Sequence, residues 1–588
     1  MADSPELDAS GPVVLTIRSD GATIPDSYEV IAVRTRAETN RIPEAVIVLN
    51  DGDAASQDFP ATDAAHFRPG AMIEIAARWG DKPDAMLFSG RVTAVRARLQ
   101  QGRLRLEATC RDEAFKLTMA RRNQVFRDVK DSDLIARLAS DAGLETDVQA
   151  TSETHPLLVQ ARCTDWDFLL ARAEAAGLAV GLAGGKLTAR RPDAGKAAAL
   201  TVTLGVDLID CDLTLSAREQ YAAFETAAWD PKTLEVVSAN EQAVSAAQAG
   251  DLSARKLAAT GGDAVQTTAA SAAYSASALG VVAKARRDRA DLARLRGGVT
   301  FRGSERAKLG AVLEIKGLAS RFAGKAVIAA VSHRIEDGDW LTEAGLGQPA
   351  PWRTEDGVGA GSPPASGLVP AVRGLQIGLV EKVSEDKDGL ERIKVRLPTL
   401  AGDESVEARY GAPYASKDAG LMLLPEVGDE VVVAFLDDDP AHPVVLASLH
   451  SGKRHRPHAA QDEQNDTKLF RSRADLRLTF DEKAKSIALS TPGAASVIIS
   501  DEEKSIKMTD HAGNTVTLSQ SGVSIESKSD LTLSASAGVT IKAGADVKIS
   551  GANVEISGDV GAKLKGGASA EVSAGGQTKV AGAMVMIN

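Results

Sequence analysis

Between Val523 and Ile549 four short units recur every eight residues: Val523-Ser-Ile525, Leu531-Thr-Leu533, Val539-Thr-Ile541 and Val547-Lys-Ile549. Each is an apolar pair split by one polar residue. Val554-Glu-Ile556, Ala562-Lys-Leu564 and Ala570-Glu-Val572 continue the series with one slip, and Met584-Val-Met586 closes it. Upstream, Ile487-Ala-Leu489, Val497-Ile-Ile499, Ile506-Lys-Met508 and Val516-Thr-Leu518 repeat the unit at a spacing of nine or ten. Alternation at period two makes each unit a strand with one buried face. The Gly, Ser, Asn and Asp between units supply turns, so the tail reads as a β-solenoid.

Strands this short cannot bury their apolar face alone. One chain coiled by itself gives a stub of roughly 25 Å, at about 4.8 Å per coil. Three chains wound together place a strand on every face at each step, and about fourteen units then build a rod of roughly 65–70 Å. Intertwining also pairs nearly every strand edge. The expectation is therefore a trimeric intertwined β-helix over residues 466–588. A single-chain solenoid or an unstructured small-residue tail is the alternative.

A chain of 588 residues with 4% aromatics holds several domains built on small-residue β structure. Its net charge of −12 opposes nucleic acid as a partner. Cys110, Cys163 and Cys211 are scattered and odd in number, which reads as reduced core thiols. Residues 1–10 lack a cationic start and an apolar core, and no run of eighteen apolar residues occurs. The expectation is cytoplasmic assembly without a signal peptide or membrane span.

Alternating runs such as Val13–Ile17, Ala45–Leu49, Met86–Val95 and Leu104–Ala108 predict one small β-barrel. Val299–Leu346 predicts a second strand cluster. Helices are expected over Leu134–Ala142, with an Asp131-Ser132 cap, over Trp166–Ala176 and over Ala278–Arg296. Gly and Pro mark a linker at 356–371. Five strands between Gln376 and Leu449 predict an OB-type barrel in 372–452, followed by a connector at 453–465. The overall fold is mainly β: β-barrel hub domains with a few helices over 1–355, an OB-fold neck and the needle.

Leu424-Pro-Glu-Val-Gly-Asp-Glu-Val-Val-Val-Ala-Phe435, followed by Asp439-Pro440 and His442-Pro443, resembles the OB signature of the VgrG family, spikes of type VI secretion and similar to phage tail hubs. Thr164-Asp-Trp-Asp-Phe168 resembles that family's hub motif, and Asp51-Gly-Asp53 fits the N-terminal region. The resemblance assigns structural motif roles to Asp165, Trp166, Phe168, Pro425, Gly428, Asp429, Phe435, Pro440 and Pro443. It departs at Asp437-Asp438-Asp439, where the family often has a turn glycine, and at Ala447-Ser-Leu-His450. It implies a homotrimer at the tip of a sixfold tube, contacts with baseplate proteins and effectors, and transient contact with a target envelope. A PAAR-type tip protein is expected on Met584, Val585, Met586, Ile587 and Asn588. The absence of an insertion between barrel and needle, or of residues past Asn588, implies a spike without a fused effector.

No HExxH, GxSxG, P-loop or CxxC pattern occurs, so neither enzyme chemistry nor a cofactor is expected. His450, His455 and His458 lie among Lys453, Arg454 and Arg456, whose charge opposes a metal cation. The Asp437–Asp439 run lacks the spacing of a calcium loop. Trp166 reads as core. Two rivals belong to other classes. A trimeric tail fibre or adhesin would need an aromatic receptor patch, and a spike-borne cell-wall hydrolase would need a catalytic insertion.

Overall fold

The computed structural model describes the chain except residues 1–3, 6–8, 53–55, 101–102, 247–248, 271–272, 356–360, 362–363, 402, 459–462 and 588. Asp53, the linker residues Gly357, Gly359 and Pro363, and connector residues 459–462 therefore lie outside the described residues. The chain divides into two units, 1–447 and 448–588.

In the first unit a 13-stranded sheet dominates. Its strands run in the order Asp210–Leu215, Leu295–Arg302, Asp339–Leu346, Gly324–Glu336, Glu29–Glu38, Glu44–Asp51, Arg103–Arg111 and Ala85–Gln100. Met72–Trp79 and Val13–Ser19 follow. The early and late strand sets, read from the sequence as separate barrels, meet in this one sheet. The joint is Glu29–Glu38, which pairs with Glu44–Asp51 on one side and Gly324–Glu336 on the other. Ten residues of alternating pattern give that strand two full edges, and nothing in the sequence names its second neighbour. Two apolar cores still line the sheet. One gathers Ile47, Ile73, Ile75 and Leu106 with Trp79 stacked on Trp340, ring centroids 5.8 Å apart. The other gathers Leu200, Val299, Phe301, Leu313 and Ile328. Glu44–Asp51 alternates between half-buried and buried along its whole length, as a strand with one covered face must.

A third core joins helices Asp131–Asp141 and Asp165–Ala175 through Leu134, Ile135, Leu138, Leu169 and Leu170. The second helix starts as expected, with Thr164 Oγ1 accepting from the Asp167 amide at 3.1 Å. The first does not. Its N-cap is Lys130, whose own side chain makes no cap bond; Asp131 is already inside the helix with its carboxylate on Arg172 and His155, and the Ser132 amide donates to Thr151 Oγ1 at 3.1 Å. Helix Ala276–Arg294 begins at Ser275, whose Oγ accepts from the Ala278 amide at 3.0 Å.

Gln376–Lys382, Ile393–Arg396, Ser405–Tyr410, Pro443–Leu449 and Glu430–Phe435 close into a five-stranded barrel. Val380, Val395, Val431, Val433 and Val445 fill it. Gly378 must stay a glycine, since a Cβ there would lie 2.4 Å from Val395 Cγ1. A two-residue hairpin, Ala415–Ser416 with Ala419–Gly420, is too short to have announced itself.

In the second unit, seven strands from Thr467–Arg471 to Gly522–Glu526 form an antiparallel meander in chain order. Their spacing of nine or ten leaves room for a closed turn; at Asp510–Asn514, for example, the Asp510 amide donates to the Asn514 carbonyl at 3.1 Å. These units thus pair with each other inside one chain, whereas the sequence reading placed them in the interchain coil. Where the spacing shortens to eight, strand pairing within the chain stops: no strand is present among described residues 527–587.

Candidate self-association face

The meander register sorts its side chains into rows. Phe470, Leu478, Leu489, Val497, Met508, Val516 and Ile525 stand opposite one another across the seven strands. Two residues along, Phe480, Ile487, Ile499, Ile506, Leu518 and Val523 make a second row. Residues two apart in a strand share a face, so both apolar rows lie on the same side. The other side carries Leu469, Thr479, Ala488, Ile498, Lys507, Thr517 and Ser524 in its middle row, with polar residues flanking it. A sheet with one greasy and one polar face needs a cover on the first.

Among the described residues of this unit nothing supplies it. Leu489 is 52% exposed and Val523 70%. The octads are barer still, with Leu533, Ile541, Ile549 and Ile556 all exposed, the last at 78%. Continuous apolar surface on this scale marks an interface. Of the expected tip-docking residues, Met584, Val585, Met586 and Ile587 are all exposed, Ile587 at 91%; Asn588 lies outside the described residues.

The remaining motif residues sit inside the fold. Asp165 accepts from Gln160 Nε2 at 2.9 Å and pairs with Arg122 at 3.2 Å. Trp166 is buried in the helical core, and Phe168 stacks on Phe126 at 5.9 Å. Around them runs an ionic lattice that sequence reading missed. Asp167 accepts both Nε and Nη2 of Arg353, at 3.1 and 3.0 Å. Glu174 accepts from Arg289 Nη2 and Asn40 Nδ2, each at 3.2 Å, and from the Arg353 amide at 2.6 Å. Asp131 accepts from Arg172 Nε at 2.7 Å and lies 2.9 Å from His155 Nε2. Burial raises the Asp131 pKa, but the bonds and charges of His155 and Arg172 outweigh it and hold the carboxyl below its ordinary value. The dense Arg and Asp of helix 276–294 was the one available signal; partners more than a hundred residues away were not.

In the barrel, Pro425 is buried and Gly428 takes a φ of +85°. The Gly428 amide donates to the Val380 carbonyl at 2.7 Å, and Asp429 Oδ2 accepts the Glu426 amide at 2.9 Å, so Gly428 and Asp429 shape one turn. Phe435 is in the barrel core, Pro443 is buried at the start of the closing strand, and Pro440 is half-buried in the turn between. That turn holds Asp437 and Asp438 at φ +57° and +62°, the left-handed region that aspartate, like asparagine, enters more readily than most residues other than glycine. Asp437 pairs with Arg162. Among the described residues no three His, Cys, Asp or Glu side chains could share a metal ion, and no helix is long and apolar enough to cross a membrane.

Comparison with known proteins gives two family matches. Residues 9–337 match the Alg8 N-terminal domain, and residues 376–450 match the type VI secretion system/phage-baseplate injector OB domain. Among curated proteins, the type VI secretion system spike protein VgrG1c of Pseudomonas aeruginosa is 30% identical over 126 residues, 19% of this chain and 17% of that one. VgrG3 of Vibrio cholerae is 29% identical over 108 residues, 17% of this chain and 11% of that one. The chain thus spans less than a fifth of the length of these relatives. A prophage MuSo2 tail protein from Shewanella oneidensis aligns over 57% of this chain and 99% of its own at 12% identity, with a TM-score of 0.45.

Proposed function

We propose, from the premise that this chain belongs to the Alg8 N-terminal domain family over residues 9–337 and to the VgrG family of spike proteins, that it is the homotrimeric spike of a contractile injection machine. The observation that carries this is the open apolar face of residues 467–526 running on into the bare octads of 527–587. Two further copies are the natural cover. Three meanders facing inward enclose their apolar rows as a prism, and the octads of three chains complete each other's strand edges beyond it. In this reading residues 1–355 are the hub, 356–371 a linker, 372–452 the neck, 453–465 a connector and 466–588 the needle. The role is mechanical. Contraction drives the tube, and a shaft of cooperative interchain hydrogen bonds around a dry core concentrates force on the tip that breaches the target envelope.

The hub meets the tube and baseplate, and effectors travel with the particle, which is assembled in the cytoplasm and exported. Met584 to Asn588 receive a PAAR-type tip protein, which covers an apolar end that water would otherwise contact. Light scattering of the purified full chain tests the trimer: the expected mass is three times 61.3 kDa, and the mass of one chain refutes it. Deleting 583–588 should abolish pull-down of the tip protein, and unchanged capture refutes that assignment.

A further inference from the structure

The large sheet of the first unit carries two open stretches of strand edge. At one end Asp210–Leu215 pairs only with Leu295–Arg302 among the described residues, and its outer edge is bare. Toward the other end Ala85–Gln100 is a long strand used twice. Its first half pairs with Met72–Trp79, and among the described residues its second half pairs with Arg103–Arg111 alone, which leaves its outer edge from Thr93 to Leu99 bare as well. Unpaired, apolar strand edges are templates for another strand. Both edges carry exposed apolar side chains: Ile209 is 55% exposed and Leu99 72%, and Val95 and Cys211 are exposed too.

The two edges also match. Asp210 and Asp212 stand two apart on one, and Arg96 and Arg98 two apart on the other, each pair sharing a face. Direction matches as well. Between the edges lie eight strands, and every neighbouring pair is antiparallel. With an even number of alternating strands, a copy rotated about an axis along the strands presents its first edge antiparallel to the last edge of its neighbour. Head-to-tail contacts of this kind close into a ring when the rotation between copies is a whole fraction of a turn, as in a trimer.

We infer that Thr93–Leu99 of one copy pairs antiparallel with Asp210–Leu215 of the next, with Arg96 opposite Asp212 and Arg98 opposite Asp210. This register sets Val95 against Leu213, Leu99 against Ile209 and Ala97 against Cys211, so that the apolar side chains meet on one face and the charges on the other. It also gives Arg96 and Arg98, which share Glu107 at 3.9 and 4.0 Å in their own chain, a directly opposed carboxylate each. The seam rests on the trimer reading and adds a hub contact independent of the needle.

The native thiol provides the test. Cys110 and Cys163 are buried, and Cys211 is exposed. Directly opposed residues bring their Cβ atoms near disulfide distance. Ala97→Cys in the full chain, treated with diamide, which takes up the two protons and two electrons released as two thiols join, is expected to pass mostly into covalent dimers and trimers. Adding Cys211→Ser should abolish the ladder. Arg96→Asp with Arg98→Asp should lower its yield severalfold, and adding Asp210→Arg with Asp212→Arg should restore it. A sample of trimer mass that forms no ladder overturns the seam and leaves the needle trimer standing. A sample with the mass of one chain overturns the trimer and the seam together.

Discussion

His333 is fully enclosed in the hub sheet, with Nδ1 2.9 Å from Thr342 Oγ1 and 3.3 Å from Trp340 Nε1. Burial disfavours its charged form and pushes its pKa down from 6.5 to about 4. Between those two values the unfolded chain binds a proton that the folded chain refuses. Stability therefore rises with pH through this window, is complete above it, and falls as the pH drops toward 4. At pH 5 the penalty is roughly 2 kcal/mol, at about 1.4 kcal/mol per pKa unit. In denaturant titrations of the hub transition, His333→Gln should lose less stability than the parent between pH 7 and pH 5; equal losses would show that another group governs the acid limb. The sequence could not single out this histidine. Alternation puts position 333 in a strand, but only its neighbours Trp340 and Thr342 make its site dry.

Helices Asp131–Asp141 and Asp165–Ala175 begin with similar polar runs, yet only the second is capped by its own side chain. Thr164 Oγ1 both accepts the Asp167 amide and donates to Asp167 Oδ2 at 2.7 Å. Thr164→Ala should cost about 1 kcal/mol, with Thr164→Ser close to the parent, measured as a shift in the urea midpoint. Local chemistry made that helix start readable in advance. The start of the other was not, because Asp131 serves Arg172, 41 residues on, and the Ser132 amide is taken by Thr151. The same divide runs through the strands. The five barrel strands follow from short apolar alternation between turn residues, and the structure closes them as expected. That Glu29–Glu38 joins two strand sets could not be read, since period-two patterning names a buried face and never a neighbour.

At the scale of the whole molecule the tail is decisive. Placing charge in the octads at Val539→Asp with Ile541→Asp should leave the hub folded and loosen the needle. In the trimer reading those side chains enter a shared core, where six carboxylates would gather across three chains at large desolvation cost. Limited proteolysis should then cut near 540 while the hub stays intact, and protection equal to the parent's would argue against a shared core. The repeat length told from sequence alone that these residues form short, one-faced strands, because alternation and turn residues act within a few positions. Equally local signals carried the barrel strands and the start of helix Asp165–Ala175. Which strands pair was decided only in three dimensions. One or two extra residues per repeat close a hairpin and fold 467–526 onto itself, while the octads beyond form no strand among the described residues. Hydrogen bonding between strands joins residues distant in sequence, so its partners are set by the geometry of the folded sheet and not by the pattern of any one segment.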